Sequence, residues 1–194
     1  MAFLPFSQNG RSWEPIALAL RKLAQTAIDD VLDPWSLALA VGLKVVDGRA
    51  IIGQLGEVDR QHLTGDGSSR WSGGVLPVPL EDGSLICILN PDHSRRRNKI
   101  TLMEEIVHKY RRHIPTKILL ADNCLRCRSY NSEQEREAYG VGAAALIPWS
   151  TFFHSVNSGQ AIDEISEIYD VTTQLVEYRI KITGAYRLYL SRQK

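Results

Sequence analysis

The residues best equipped for chemistry in this 194-residue chain lie at 101–108, which read Thr-Leu-Met-Glu-Glu-Ile-Val-His. In a helix of 3.6 residues per turn, positions four apart share a face. Glu104 and His108 therefore point the same way, with Glu105 one step round beside them. A metal-dependent hydrolase uses this spacing as H-E-x-x-H, in which two imidazoles hold a zinc ion and the glutamate between them is the general base. Glu105 and His108 fill the base and second-ligand positions, but the first-ligand position holds Glu104. Paired glutamates suit an ordinary solvated helix face, and a lone helical histidine is more often structural than a ligand, so the motif needs support from elsewhere in the chain.

A second informative stretch is 133–148, Glu-Gln-Glu-Arg-Glu-Ala-Tyr-Gly-Val-Gly-Ala-Ala-Ala-Leu-Ile-Pro. One charged turn followed by small apolar residues reads as a helix whose carboxylates cluster at its N-terminal end, where the helix dipole favours them. Such a carboxylate is either a capping charge or a metal ligand supplied from a distance. Arg95, Arg96 and Arg97, just before the central motif, read as a solvated connection or as a contact for substrate carbonyls. Cys124 and Cys127 form a single C-x-x-C with no second pair to complete a zinc site. Cys87 lies in an apolar run and reads as an inert buried thiol.

The elements that must position these groups follow from periodicity. Residues 1–12 read as a loose tail, and 13–31 as an amphipathic helix with apolar residues at three-and-four spacing. A short helix follows Asp33-Pro34, then a strand over 43–46. The polar, glycine-rich 51–69 reads as a long loop or irregular hairpin. Residues 71–80 and 85–89 flank an Asp-Gly turn and read as a β-hairpin. The central helix is expected over 99–112, ended by Pro115, with Ile100, Met103, Ile106, Val107 and Tyr110 as its apolar stripe. His113 falls roughly 140° round the helix from His108, which makes it a supporting residue rather than a ligand. Two short helical patterns flank Asp170-Val171-Thr172 with helix–turn–helix spacing. The first of them is acidic, and a DNA-reading face needs clustered Lys and Arg, so this piece is expected to pack rather than to bind DNA.

Composition narrows the class of protein. Hydrophobic residues make up 44% and charged residues 23%, as expected of a globular protein able to bury its own core. A formal net charge of +1 gives no bulk attraction to nucleic acid or to an anionic membrane. No apolar run approaches the roughly 20 residues that span a bilayer. The first residues lack the basic and apolar regions of a signal peptide, and three cysteines suit a reducing compartment, so a cytoplasmic location is expected.

The order of these stretches resembles the ImmA/IrrE family of small bacterial and phage metallopeptidases. That family has an N-terminal helix pair, a short sheet and an Arg-rich approach to a helix like R-F-T-L-A-H-E-L-G-H. It continues with E-R-E-A-N-x-F-A-A-E-L-L-M-P and closes on a helix–turn–helix-like piece. The corresponding stretches here are Lys-Ile-Thr-Leu-Met-Glu-Glu-Ile-Val-His at 99–108, the run at 135–148, and Ile-Ser-Glu-Ile-Tyr-Asp-Val-Thr at 165–172. The resemblance implies a small α+β, zincin-like domain over 13–150 with a helical appendage over 151–194. It also implies Glu105 as catalytic base, His108 as a metal ligand and Glu137 as the distal ligand, with Glu135 as fallback. Tyr139, His154 and Arg97 are candidates to support an oxyanion, and His113 to support the ligands. The implied partner is a protein substrate such as a helix–turn–helix repressor. The rival reading is a member that keeps the fold as a protein-binding regulatory module without hydrolysis.

Glu104 changes the chemistry that the resemblance implies. Carboxylate oxygen binds zinc at about 2.0–2.2 Å, close to the distance for imidazole, so Glu104 can serve from the same helical position. Two carboxylates and one imidazole leave a divalent ion neutral, whereas two imidazoles and one carboxylate leave it at +1. The neutral site pulls less on a bound water. Zinc is the ion implied by the resemblance, and oxygen-rich ligation moves preference toward manganese or iron.

Overall fold

The computed structural model describes residues 4–113, 118–121, 124–128 and 131–193, with the backbone alone described for residues 58, 59, 62, 65, 66, 68, 118–121 and 124–128. The fold is mixed α+β, as expected. The first helix, α1 (Gln8–Leu23), is capped by the Ser7 hydroxyl, which accepts from the amide of Gly10. Part of the expected tail is therefore helix, and what precedes it is tied down. The amides of Phe6 and Ser7 donate to the Thr183 carbonyl at 2.9 and 3.1 Å.

The same helix stops eight residues short of the expected end, because Gln25 turns left-handed at φ 53°. The buried Arg21 guanidinium then gathers the returning chain by donating to the carbonyls of Ala27 and Asp30. Helix α2 (Pro34–Ala40) leads through Gly42 at φ 77° into strand β1 (Leu43–Asp47).

Strand β3 (Leu85–Leu89) is the centre of a three-stranded sheet, parallel to β1 and antiparallel to β2 (Gly73–Val75). Parallel neighbours need a long crossover, usually helical. The stretch expected to be loop supplies it as α3 (Gly48–Ile52), α4 (Glu57–Leu63) and a 3₁₀ turn (Gly65–Arg70). The hairpin closes where the amide of Leu80 donates to the Ser84 carbonyl, with Gly83 at φ 77°.

Helix α5 (Arg95–Arg111) lies across this sheet. The Ser94 hydroxyl caps it by accepting from the amide of Arg97, so the three arginines are its first turn and not a connection. A β-hairpin of β4 (Ile118–Ala121) and β5 (Cys124–Arg128) precedes α6 (Ser132–Leu146). The side chains of Cys124 and Cys127 lie outside the described residues. Helix α6 wedges between α5 and α1 because it carries glycine where a methyl would collide. A Cβ at residue 140 would stand 2.3 Å from the Trp13 ring, and one at residue 142 would stand 3.0 Å from the Met103 Cβ.

Four helices complete the chain: α7 (Trp149–Asn157), α8 (Ile162–Tyr169), α9 (Thr173–Thr183) and α10 (Tyr186–Arg192). The expected boundary at residue 150 does not divide the core. Val171, Leu175, Val176 and Ile180 share one apolar cluster with Trp13, Met103 and Val141. Arg179, fully buried on α9, pairs with the buried Glu14 of α1, whose other oxygen accepts from the amide of Trp149 at 3.1 Å.

The turn between α8 and α9 also grips the start of α5. Arg96 donates to both Glu167 oxygens at 2.7 and 2.6 Å and to Asp170 at 2.8 Å, and the buried Lys99 pairs with the same Asp170. Arg95 instead lies over the Trp35 ring at 4.2 Å. Among the described residues no helix is long and apolar enough to cross a membrane.

Candidate functional site

Leu102, Met103, Ile106 and Val107 are fully buried and fix the rotation of α5 about its axis. Glu104, Glu105 and His108 are thereby left half-buried along one edge, facing α6. On α6 the buried Ala138, Val141 and Gly142 face inward, and Glu135, Glu137 and Tyr139 line the same seam, also half-buried. The two expected stretches do meet.

Electrostatics at the seam are unbalanced. Burial pushes the Glu104 carboxyl from its ordinary 4.5 up to about 8, and the charges of Glu105 and Glu135 push it further. Burial, followed by the charge of Glu135, raises Glu105 to about 7. Among the described residues neither of these two carboxylates has a Lys or Arg paired to it. Burial lowers His108, and the nearby His113 adds to that, while Glu135 pulls the other way. Tyr139 is raised by burial and then by Glu104, with Arg97 opposing. Cys87, on β3 behind the seam, is pushed up to about 12 by burial and by Glu105, which suits the inert thiol expected.

The α6 carboxylate set against His108 is Glu135, whose Oε2 lies 3.5 Å from the His108 Nε2. Glu137 is engaged elsewhere. Its Oε2 accepts from the His113 Nε2 at 2.8 Å, and its Oε1 lies 3.2 Å from an Arg111 nitrogen. The Glu104–His108–Glu137 convergence is therefore not formed, and the fallback Glu135 stands nearest to the imidazole.

His113 does more than the helix geometry implied. Helix α5 ends at Arg111, and Arg112 turns left-handed at φ 55°, which swings His113 back under the helix. Its ring meets the His108 ring edge-on, with the two Nδ1 atoms 3.0 Å apart. With both rings neutral, one proton arrangement satisfies these contacts. The His113 Nε2–H donates to Glu137, the His113 Nδ1 accepts from the His108 Nδ1–H, and the His108 Nε2 keeps its lone pair.

The remaining candidates are more scattered. Arg97 is exposed on α5, and its charge reaches Tyr139 and His93. His154 is exposed on α7 and makes no side-chain contact with the cluster among the described residues. One neighbour had no signal in the sequence. Tyr178 of α9 meets the Tyr139 ring edge-to-face, with centroids 4.7 Å apart and planes at 89°. No spacing rule links residues so far apart in the chain.

The donor set can be tested against a divalent ion. Among the described residues no three His, Cys, Asp or Glu side chains stand together as a finished metal cage. Two features of the set nevertheless fit a cation. In that tautomer the His108 Nε2 and the Glu135 Oε2, 3.5 Å apart, present lone pairs to each other. That separation is close to the edge of roughly 3.4 Å between two ligands about 2.1 Å from a tetrahedral ion. Glu104 and Glu105, half-buried beside them with no Lys or Arg paired to them among the described residues, are held well above the ordinary carboxylate range.

A family model described as the IrrE N-terminal-like domain matches residues 75–181, just over half of the chain. The match spans α5, α6 and most of α9, and so takes in every residue of the seam. No curated protein and no solved structure matches the chain.

Proposed function

Since the chain belongs to the metallopeptidase family of the IrrE N-terminal-like domain, we propose that it is a metal-dependent endopeptidase with an altered ligand set of Glu104, His108 and Glu135. The observation that carries this reading is the His108 Nε2 standing 3.5 Å from the Glu135 Oε2, beside two half-buried carboxylates that have no Lys or Arg paired to them among the described residues. A bound ion would supply a water of lowered pKa and polarise the carbonyl under attack. Zinc is the ion of the resemblance, and the oxygen-rich set also favours manganese or iron.

The residues of the chain supply the rest. Glu105, with a pKa near 7, exchanges a proton at neutral pH as a general base or acid should. His113 fixes the tautomer that leaves the His108 Nε2 free, and Glu137 in turn orients His113. Tyr139 brings a phenol to the neighbourhood of Glu104. The substrate we propose is a protein, of which a helix–turn–helix repressor is the type implied by the resemblance, and the three cysteines suit action in the cytoplasm.

Metal content separates this ligand set from the one read off the motif. Wild type incubated with zinc or manganese and then desalted should retain about one equivalent. H108A and E135Q should lose it, while E137Q should keep most of it. Retention unaffected by H108A would remove the metal from the seam. Cleavage of a repressor that is lost in E105Q would then establish the hydrolysis.

A second reading is favoured by the lack of a three-donor group among the described residues. In it the chain binds its protein partner and does not cut it. Stable co-elution with an intact repressor in the presence of metal is the outcome that selects this reading.

A further inference from the structure

We infer that the face built by α9 and α10 is a self-association surface, whose partner is a second copy of this chain related by a twofold axis at the level of residue 179. The face lies apart from the seam and involves no metal ion, so it is independent of the endopeptidase reading.

A groove of about 490 Å³ opens between α8, α9 and α10. Its apolar walls are Ile162, Ile180, Tyr186 and Tyr189, and the exposed Glu177 and Lys181 bring charge to it. Helix α10 has no fully buried residue, and it leaves Tyr186 58% and Leu190, one turn further on, 48% exposed. The end of α10 is nonetheless tied to the connection between α7 and α8. Arg192 donates to the Asn157 side chain at 3.0 Å, and Gln193 to the Gly159 carbonyl at 3.2 Å. The groove is therefore formed before a partner arrives, which lowers the ordering cost of association.

The charges decide which partner fits. A Glu four residues before a Lys is the favoured order for an ion pair within a helix. Glu177 and Lys181 form no such pair, and neither is paired with any other described residue. Asp163, next to Ile162, and Arg187, next to Tyr186, are likewise exposed and in no ion pair among the described residues. A surface that recruits a foreign partner by charge needs an excess of one sign. Two acids and two bases suit a copy of the same face.

The exposed residues of α9 have the symmetry that such an interface requires. They are Gln174, Glu177 and Lys181, followed by the exposed C-cap Gly184, and these positions are symmetric about residue 179. Two α9 helices laid antiparallel on a twofold axis there set Glu177 of each copy against Lys181 of the other, so that every contact occurs twice. Gln174 then faces Gly184 of the second copy, where no side chain obstructs the approach. Tyr186 and Leu190 add apolar area around the charge pairs, and tyrosine is a side chain that interfaces favour.

Sedimentation equilibrium of the metal-free full chain tests the inference. The mass should rise with concentration from 21.8 kDa toward twice that value. E177K and K181E each set like charges against one another across the axis, and each should weaken self-association about tenfold or more. Mixed in equal amounts, the two variants should associate about as tightly as wild type, because one then carries only bases at 177 and 181 and the other only acids. E177K/K181E should also associate at the wild-type level, since reversing both positions restores both pairs about the axis. Both positions are exposed, so neither substitution removes a core contact. Wild type that stays monomeric at about 0.2 mM would overturn the inference. Single variants that self-associate as strongly as wild type, or a mixture no tighter than its components, would overturn it equally.

Discussion

Lys99 and Glu104 lie five residues apart on the same helix, and the fold treats their charges in opposite ways. Lys99 is almost wholly buried, and its ammonium is met by Asp170 from the α8–α9 turn. Glu14 and Arg179 are matched in the same manner inside the core. Glu104 and Glu105 are half-buried with no Lys or Arg paired to them among the described residues, and a third carboxylate, Glu135, adds to the repulsion. A buried charge kept only for architecture is expected to be paired, because leaving it unpaired costs several kcal/mol. Tolerating unpaired carboxylates at one seam, in a protein that meets the buried charges of Lys99 and Arg179 with carboxylates, marks that seam as the place where stability is given up for function.

Breaking a matched pair should have the largest effect. E14Q strands the buried Arg179 and should destabilise the protein by about 3–5 kcal/mol in chemical denaturation. The same kind of change at the seam should do the reverse. E104Q, which removes an unmatched carboxylate, should leave stability unchanged or raise it at pH 8. A loss at E104Q as large as that at E14Q would erase the contrast.

D170N should cost less than E14Q, about 1–3 kcal/mol, because Asp170 is 42% exposed and solvent screens its pairs. Its effect should diminish in high salt.

The pH dependence of stability should run in opposite directions in the two regions. Asp170 is held below its ordinary 3.8, first by Lys99, so its contribution is present above that value and fades as pH falls. Glu104 and Glu105 are held above their ordinary 4.5. The folded chain therefore keeps protons that the unfolded chain has released. Stability from this source is full below 4.5 and declines as pH rises toward 7 and 8. Each group contributes at most about 1.4 kcal/mol per pH unit. Metal-free wild type should lose stability between pH 5 and 8, and E104Q/E105Q should flatten that decline in thermal unfolding.

The smallest effect is expected from H113Q, which keeps a polar side chain but cannot bridge two partners in the same way. It should change stability by less than about 1 kcal/mol, while weakening metal retention about tenfold.

The pairing of the two helices was legible because both signals are local. The spacing of Glu104, Glu105 and His108 and the small-residue pattern of α6 are properties of single helices, and the glycines at 140 and 142 allow Trp13 and Met103 to approach closely. What could not be read was set by backbone breaks or by distant contacts. The left-handed Arg112 brings His113 under His108, against the angle that a continuous helix gives. That turn in turn captures Glu137 and leaves Glu135 to face the imidazole. The parallel pairing of β1 with β3 demanded a helical crossover where composition suggested loop. Nor does anything local announce that Arg179, in the helical C-terminal extension, will bury its charge against Glu14 of α1.

The central claim is that the seam holds protons which a metal ion replaces. Calorimetric titration with manganese at about pH 6, repeated in buffers of different ionisation enthalpy, counts the protons released on binding. Wild type should release one or more, and E104Q should release fewer. Binding without proton release, or heat unchanged by H108A, would contradict it.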